Sequence, residues 1–77
     1  HSVHMKNMKI TDKSYLEHMI PHHQVAIDMS KRLLKHTNNN YLLYFCRKLI
    51  NDQQVEILYM NNLLRSTYNH NSVIINQ

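Results

Sequence analysis

The stretch that decides the fold is residues 16–29, which read LEHMIPHHQVAIDM. Apolar and ligand-type side chains recur through it every three or four residues, which is the period of one face of an α-helix. The same period continues on both sides and predicts one helix from about residue 12 to residue 36. Thr11 or Asp12 can cap its start, because either side chain can accept a hydrogen bond from the first backbone N–H groups.

A proline lies well inside this predicted helix. Pro21 has no N–H to donate to the carbonyl of Glu17, and its ring crowds the preceding turn, so a kink is expected. The alternative is a break, with a short helix that ends near Met19. The apolar period passes through Pro21 without a shift. The sequence therefore favours a kinked helix over a broken one.

A second helix is predicted from about residue 41 to residue 66. The polar connector before it, residues 37–40 (TNNN), has a length that suits an antiparallel helix pair, and Asn40 can cap the new helix. The inward strip of the second helix has a near-heptad spacing. Its residues are Leu42, Cys46, Leu49, Gln53, Glu56, Met60 and Leu63, and this face is widened by Ile50, Ile57 and Leu64. The predicted fold class is therefore all-α, an antiparallel helical hairpin.

Size and composition predict that this hairpin needs a further source of stability. The chain has 77 residues, no glycine and one proline, so it forms one small domain with a limited core. Cys46 is the single cysteine, which excludes an internal disulfide. The remaining sources of additional stability are a metal ion and a partner subunit. We expect a homodimer, or a higher homo-oligomer, in which hairpins pair with two-fold symmetry into a four-helix bundle.

The domain organisation follows from these elements. Residues 11–66 form the predicted hairpin domain. Residues 1–10 are a lead-in, of which residues 1–4 resemble a cloning remnant, and residues 67–77 are a C-terminal tail rich in Asn and Ser.

Charge and hydropathy argue against two classes of partner. The net charge of +4 comes from scattered Lys and Arg, without the basic stripe and interleaved aromatic residues typical of nucleic-acid binding. No stretch approaches the roughly 20 apolar residues of a membrane span, and no signal-peptide core is visible. We expect neither a nucleic-acid partner nor a membrane partner, and the residues alone do not assign a compartment.

The chemistry of the first helix points to a metal ion. His18 and His22 are four residues apart, as are Met19 and His23, so each pair shares one side of a helix. Imidazole and thioether are donors that late first-row metals accept, and copper accepts both. The alternative without a metal is that these histidines are ordinary surface residues and that the methionines pack in the hydrophobic core.

The second helix supplies a facing set of donors. Gln53, Glu56 and Met60 share its predicted inward face, and a hairpin places them level with the donors of the first helix. A carboxylate on an apolar strip is costly unless it is paired or binds a metal. Glu56 can also simply form an ion pair with a histidine or lysine across the bundle. The predicted metal ligands are His18, Met19, His22, His23, Met29, Gln53, Glu56 and Met60.

Two motifs carry a resemblance to a known family. The patterns DxxYLxxMIPHHQxAIDM at residues 12–29 and IxxQxxEIxxM at residues 50–60 resemble the ferritin-like family catalogued as domain of unknown function 305. The resemblance implies four-helix bundles, commonly built from two such hairpins, and several members are linked to copper binding or copper resistance in the bacterial periplasm. By position it implicates Met19, His22, His23, Met29, Gln53, Glu56 and Met60.

The chain departs from this family in two respects. Many members carry two hairpins and this chain has one, so the resemblance implies that a second subunit supplies the other half. The aromatic residue usual just after the Met60 motif is replaced by Asn62-Leu63. Neither the compartment nor the source is assigned: a periplasmic location, a cytoplasmic location and a viral origin all agree with the sequence.

The expected function is therefore the binding, storage or sequestration of a transition metal, with copper favoured over zinc or iron. One alternative is a ferritin-like enzyme that changes the oxidation state of its metal. Diiron bundles use several Glu and a Glu-x-x-His pair on facing helices, and this chain has one inward Glu and no such pair. Binding is therefore favoured over catalysis. A second alternative is a structural dimeric module without a metal.

Overall fold

The protein is a two-helix hairpin. The computed structural model describes residues 9–68, in which helix α1 spans Asp12–Leu34 and helix α2 spans Asn40–Thr67. The two helices pack against each other along their length, and no strand occurs within this described range. The predicted all-α hairpin is confirmed. The predictions for residues 1–8 and 69–77 lie outside the described residues.

The helix starts are defined by side-chain caps. Thr11 is the N-cap of α1, and its Oγ1 atom accepts a hydrogen bond of 3.1 Å from the backbone N–H of Ser14. The backbone N–H of Thr11 donates in return to Ser14 Oγ at 2.9 Å. This reciprocal pair forms a capping box with Ser in the place of the usual Glu or Gln. Of the two predicted caps, Thr11 is therefore the one used.

The second cap differs from the prediction. Asn39, not Asn40, is the N-cap of α2, because its backbone is extended and its Oδ1 atom accepts from the N–H of Leu42 at 3.0 Å. Asn40 is already the first helical residue. Helix α1 ends two residues earlier than predicted, and α2 extends one residue further at each end.

Helix α1 is continuous through Pro21, so the alternative of a break near Met19 is wrong. A helix with a proline at its tenth position has lost one backbone hydrogen bond, and packing of the surrounding apolar turns must hold it together. The predicted kink stays a prediction.

The core lies along one row of residues on each helix. We call these the inward rows, because every member is buried or half-buried. On α1 the inward row is Leu16, Ile20, His23, Ile27, Ser30 and Leu34. On α2 it is Cys46, Ile50, Gln53, Ile57, Met60 and Leu64. Ile27 is the most deeply buried, with 1% of its surface exposed, so it is the centre of a narrow hydrophobic seam.

Two residues predicted on the inward strip of α2 lie at its border instead. The Glu56 side chain is 57% exposed, and Leu63 is also exposed. Ile57 and Leu64 take the inward places one residue later. A shift of one residue along α2 corresponds to a rotation of about 100° about the helix axis, so in this part of α2 the inward face is rotated by about 100° from the predicted one. Because Glu56 is exposed to solvent, its carboxylate avoids most of the desolvation cost that a buried position would impose.

Neither α1 nor α2 combines the length and the apolarity that crossing a lipid bilayer requires.

Candidate metal site

The midpoint of the hairpin contains a direct contact between a histidine and a carboxylate. His23 Nε2 lies 2.7 Å from Glu56 Oε1, and the His23 side chain is 13% exposed. A carboxylate can only accept, so Nε2–H donates to Glu56. The contact joins residues 33 positions apart and fixes the level at which the two helices meet.

This contact also defines which nitrogen of His23 can bind a metal. With the proton on Nε2, the lone pair of the neutral ring is on Nδ1. Histidines that bind metals regularly donate their other ring N–H to a carboxylate, which orients the ring and makes it more basic. The arrangement of His23 and Glu56 has that form. Glu56 is therefore suited to orient the ligand rather than to be one.

A buried polar atom lies on the same inward row of α2. Gln53 is half-buried, and its Oε1 atom has no hydrogen-bond partner among the described residues. A buried acceptor without a partner costs about 1–3 kcal/mol. Gln53 is three residues before Glu56, so it lies on the next turn of α2, and it provides an oxygen that a bound cation or a water molecule can satisfy.

Two thioethers occupy the layer on the other side of the contact. Met19 lies four residues before His23, and Met60 lies four residues after Glu56. Because the helices are antiparallel, these one-turn steps lead to the same level of the hairpin. Met60 is buried and Met19 is half-buried. The helix register therefore brings Met19, His23, Gln53, Glu56 and Met60 to neighbouring levels in the middle of the hairpin, on or beside the inward rows, and we call them the inner group.

The remaining predicted ligands lie outside the seam. His18, His22 and Met29 are exposed, and Met29 is 64% exposed. His18 Nδ1 donates to the carbonyl oxygen of Ser14 at 2.8 Å, which leaves the lone pair of its neutral ring on Nε2. We call these three the outer group. Adjacent positions on a helix differ by about 100°, which is why His22 and His23 diverge.

No cluster of three or more His, Cys, Asp or Glu side chains suited to a metal occurs within residues 9–68. The inner group has only two residues of these types and completes its donor set with two Met and one Gln. Hard cations prefer carboxylates and carbonyls, whereas copper(I) accepts imidazole and thioether. The donor set therefore fits a soft metal better than iron or magnesium.

One acidic residue near the site was not singled out from the sequence. Asp52 lies one turn before Glu56 and borders the same shallow groove. Its Oδ2 atom accepts from Lys48 Nζ at 2.7 Å, and this hydrogen bond together with the charge of Asp52 raises the pKa of the Lys48 ammonium group above its ordinary value. The i,i+4 spacing of Asp52 and Glu56 was the available signal.

Cys46 lies away from both groups. It is a free thiol, 3% exposed on the inward row, nearly two helical turns before Gln53. The prediction that it is a small buried apolar residue is confirmed.

Comparisons with known proteins agree with the helical motifs. A family model described as "Domain of unknown function (DUF305)" matches residues 2–70. An uncharacterized protein of Acanthamoeba polyphaga mimivirus is 44% identical over 55 residues, which is 71% of this chain and 36% of that protein. The chain thus spans about a third of the length of this curated relative. No solved structure is significantly similar to the chain.

Proposed function

This chain belongs to the family described as domain of unknown function (DUF305), and on that premise we propose that it binds a soft or borderline transition metal, copper above all. The ligands are the imidazole and thioether side chains of the hairpin. The function is binding, as in storage, sequestration or sensing, and not catalysis. A homodimer is part of the proposal, because one hairpin leaves half of the donors and a wide apolar surface exposed.

The observation that carries the proposal is the His23–Glu56 contact beside the unpartnered Gln53 oxygen. A ring held by a carboxylate has its second nitrogen in a set orientation, which lowers the entropy that metal binding must overcome. An unpartnered buried acceptor is rare in folded proteins, and a ligand is one of its ordinary explanations. Both features lie on adjacent turns of α2.

The assignment of Glu56 as the residue that orients His23 follows from a distance. Two donor atoms bound to one tetrahedral metal at about 2.0–2.1 Å are roughly 3.3 Å apart. His23 Nε2 and Glu56 Oε1 are 2.7 Å apart, which is the length of a charge-assisted hydrogen bond. The ligand set proposed for the inner group is therefore His23 Nδ1, Met19 and Met60. The oxygen of Gln53, one turn away on the other side of the contact, is available to a water molecule beside the site.

Copper is favoured because of the balance of donor types. Two thioethers and one imidazole form a neutral soft set that suits copper(I), whereas a zinc site would be expected to use thiolates, more imidazoles or a carboxylate. When bound, copper supplies Lewis acidity and one-electron redox chemistry to this site. The chain's own residues would select it by softness and enclose it within the seam.

The test is an anaerobic copper(I) titration against a competing chelator, read by native mass spectrometry. We expect the wild-type protein to bind copper(I) and the double variant His22→Ala/His23→Ala to lose at least about 100-fold in affinity. His36→Ala is the matched control, because His36 is an exposed histidine after the end of α1, and its affinity should equal that of the wild type. Equal copper affinity in the double variant and the wild type would refute the proposal.

Thermal unfolding separates metal binding from a purely structural role. A ligand that binds only the folded form at 100 times its Kd adds about 2.7 kcal/mol of stability. We expect this gain with copper(I) and smaller gains with zinc(II) or iron(II). No gain with any of the three metals would favour a structural module in which His23 and Glu56 only tie the helices together.

A further inference from the structure

We propose that a second copy of this chain covers one broad face of the hairpin, with the two-fold axis parallel to the helices, so that each metal site draws on both copies. This inference deepens the proposed function and rests on it for the metal, whereas the interface itself is argued independently.

The broad face consists of the residues that come one position before each inward row. On α1 these are Tyr15, Met19, His22, Ala26, Met29 and Leu33. On α2 they are Phe45, Leu49, Asp52, Glu56, Tyr59 and Leu63. Each row is rotated by about 100° in the same sense from its inward row. Because the helices are antiparallel, both rotations lead to the same side of the hairpin.

This face is apolar and exposed. Tyr15, Met29, Leu33, Phe45, Tyr59 and Leu63 are all among the large hydrophobic side chains exposed in the hairpin. A monomer rarely leaves so many apolar side chains on one face, and such a face marks an interaction surface.

The opposite face is polar, which identifies the broad face as the one that needs a partner. The residues one position after the inward row are Glu17, Pro21, Gln24, Asp28 and Lys31 on α1, followed by its C-cap Lys35. On α2 they are Arg47, Asn51, Gln54, Leu58, Asn61 and Arg65. Leu58 is the one large apolar side chain in these two rows. That composition is typical of a solvated surface.

The size of the broad face suits a second copy. Helix α1 has 23 residues and is about 35 Å long, and two packed helices are about 20 Å wide, so the face offers roughly 700 Å². A stable interface uses about 800 Å² on each partner. Both rows also have the 4,3 spacing that allows another helix pair to pack at a shallow angle.

Charge selects the way in which the two copies stack. The α1 row is apolar at both ends with His22 near its middle, and the α2 row is apolar at both ends with Asp52 and Glu56 near its middle. Stacking α2 on α2 would bring four carboxylates together, which is unfavourable. Stacking α1 on α2 places His22 against the partner's acidic pair instead.

The position of the His23–Glu56 contact along the helix axes agrees with this stacking. The His23–Glu56 contact places residues 22–23 of α1 level with residue 56 of α2 within one copy. A two-fold axis parallel to the helices keeps every residue at its level, so His22 meets Glu56 of the partner subunit. All neighbouring helices are then antiparallel, which is also the favourable arrangement of their dipoles.

The arrangement completes the metal site. Within one hairpin, His22 and Met29 are exposed and lie on a different row of α1 from the half-buried His23. In the stacked dimer the broad faces become the interior of a four-helix bundle. The outer donors of one copy then line the same interior as the inner group of both copies, so each site is incomplete in a single chain.

Disulfide crosslinking of mixed single-cysteine chains tests the stacking without metal. In a Cys46→Ala background, Tyr15→Cys chains are mixed with Leu63→Cys chains in the presence of a chelator. These positions share a level on the broad face and lie outside the donor groups. The matched control is a mixture of Glu17→Cys and Asn61→Cys chains, whose positions share a level on the opposite face.

We expect the broad-face mixture to form a mixed disulfide at least about tenfold faster than the control, because a disulfide needs Cα atoms within about 7 Å. Ala26→Cys chains alone should crosslink slowly, since two α1 helices lie diagonally across the bundle. Rapid crosslinking of Ala26→Cys chains, equal rates in the two mixtures, or a monomer by sedimentation would each overturn the proposed arrangement. Circular dichroism checks that each variant is helical.

Copper binding then separates the two proposals. The crosslinked dimer should bind two copper(I) ions. A dimer with the expected crosslinks that binds no copper would refute the proposed function and leave the interface intact. A copper-binding monomer would refute the shared site and the homodimer, and would leave the proposed metal binding intact.

Discussion

At the scale of single residues, the hairpin contains features that add little to its stability and that the proposed metal would explain. Gln53 has a buried oxygen without a partner in the described range, and Glu56 binds His23 while more than half exposed. A contact to a carboxylate that is this exposed typically contributes about 0–1 kcal/mol. Natural proteins often break packing rules at functional sites and compensate elsewhere. Two substitutions on α2 test this interpretation.

Replacing Gln53 should stabilise the metal-free protein and weaken metal binding. Gln53→Leu removes a buried acceptor and keeps a similar volume, so we expect a gain of about 1 kcal/mol in the free energy of unfolding. Urea denaturation in a chelator measures it. Gln54→Leu is the matched control, since Gln54 is exposed, and it should change stability by less than about 0.5 kcal/mol. A loss of stability in Gln53→Leu would mean that the amide is satisfied in solution.

Replacing Glu56 should separate orientation of the ligand from direct coordination. Glu56→Gln keeps an oxygen that accepts from His23 Nε2–H but removes the charge, so we expect a loss of about 10-fold in copper(I) affinity. His23→Ala removes the ligand and should lose far more. Competition with a copper(I) chelator measures both. Equal losses in the two variants would indicate that Glu56 itself binds the metal.

At the scale of elements, side-chain caps stabilise the start of each helix, whereas a proline destabilises the middle of α1. Helix α1 begins with a reciprocal Thr11–Ser14 cap, and α2 begins with an Asn39 cap. Each cap is worth about 1 kcal/mol. Pro21 acts against this, because a proline inside a helix costs about 3 kcal/mol relative to alanine. Because Pro21 lies directly before His22, we expect it to adjust the direction of the proposed donor side chains.

Replacing Pro21 should therefore raise stability and lower copper affinity. For Pro21→Ala we expect a gain of roughly 2 kcal/mol in the free energy of unfolding, because a backbone hydrogen bond is restored. Chemical denaturation at a fixed protein concentration measures it. Gln24→Ala, at an exposed site one turn later, should stay within about 0.5 kcal/mol. An unchanged copper affinity in Pro21→Ala would show that the proline has no part in the site.

The sequence predicted the two helices to within two residues because caps and the polar connector mark their ends chemically. It did not resolve which of two neighbouring strips on α2 faces α1. Both the strip through Glu56 and the strip through Ile57 have 3,4 spacing, and a hairpin that also packs on a second molecule needs both. The level of His23 with Glu56 was predicted, because a hairpin places the middle of the second helix opposite the middle of the first. The divergence of His22 from His23 follows from helix geometry alone.

At the scale of the whole molecule, the hairpin is short of buried surface. Ile27 is the most buried apolar residue, and four apolar residues form the buried core of the described residues. A small chain of this kind gains little from its own core. Assembly is therefore expected to provide a large part of its stability, which makes folding dependent on protein concentration.

A charge on the broad face should dissociate the proposed dimer. Phe45→Asp places a carboxylate in the proposed interface, so we expect a monomer at concentrations where the wild type is dimeric, and a lower Tm. The matched control is Tyr44→Asp, at the preceding residue. Tyr44 is 63% exposed and Phe45 is 46% exposed, but Tyr44 points away from the broad face by helical spacing. Sedimentation equilibrium distinguishes the two, and dissociation of both variants would place the interface elsewhere.

The tight connector between Leu34 and Asn40 has a consequence for gene architecture. It brings the start of α1, at Asp12, and the end of α2, at Thr67, to the same end of the hairpin. In the proposed dimer, whose two-fold axis runs along the helices, the last turn of one copy lies beside the first turn of the other. A few codons could then join two copies into one polypeptide without moving a helix. A two-fold axis perpendicular to the helices would place the chain ends of the two copies at opposite ends of the bundle, and the linker would have to be as long as the bundle. A tandem duplication therefore needs only a short linker in the first arrangement and a long one in the second.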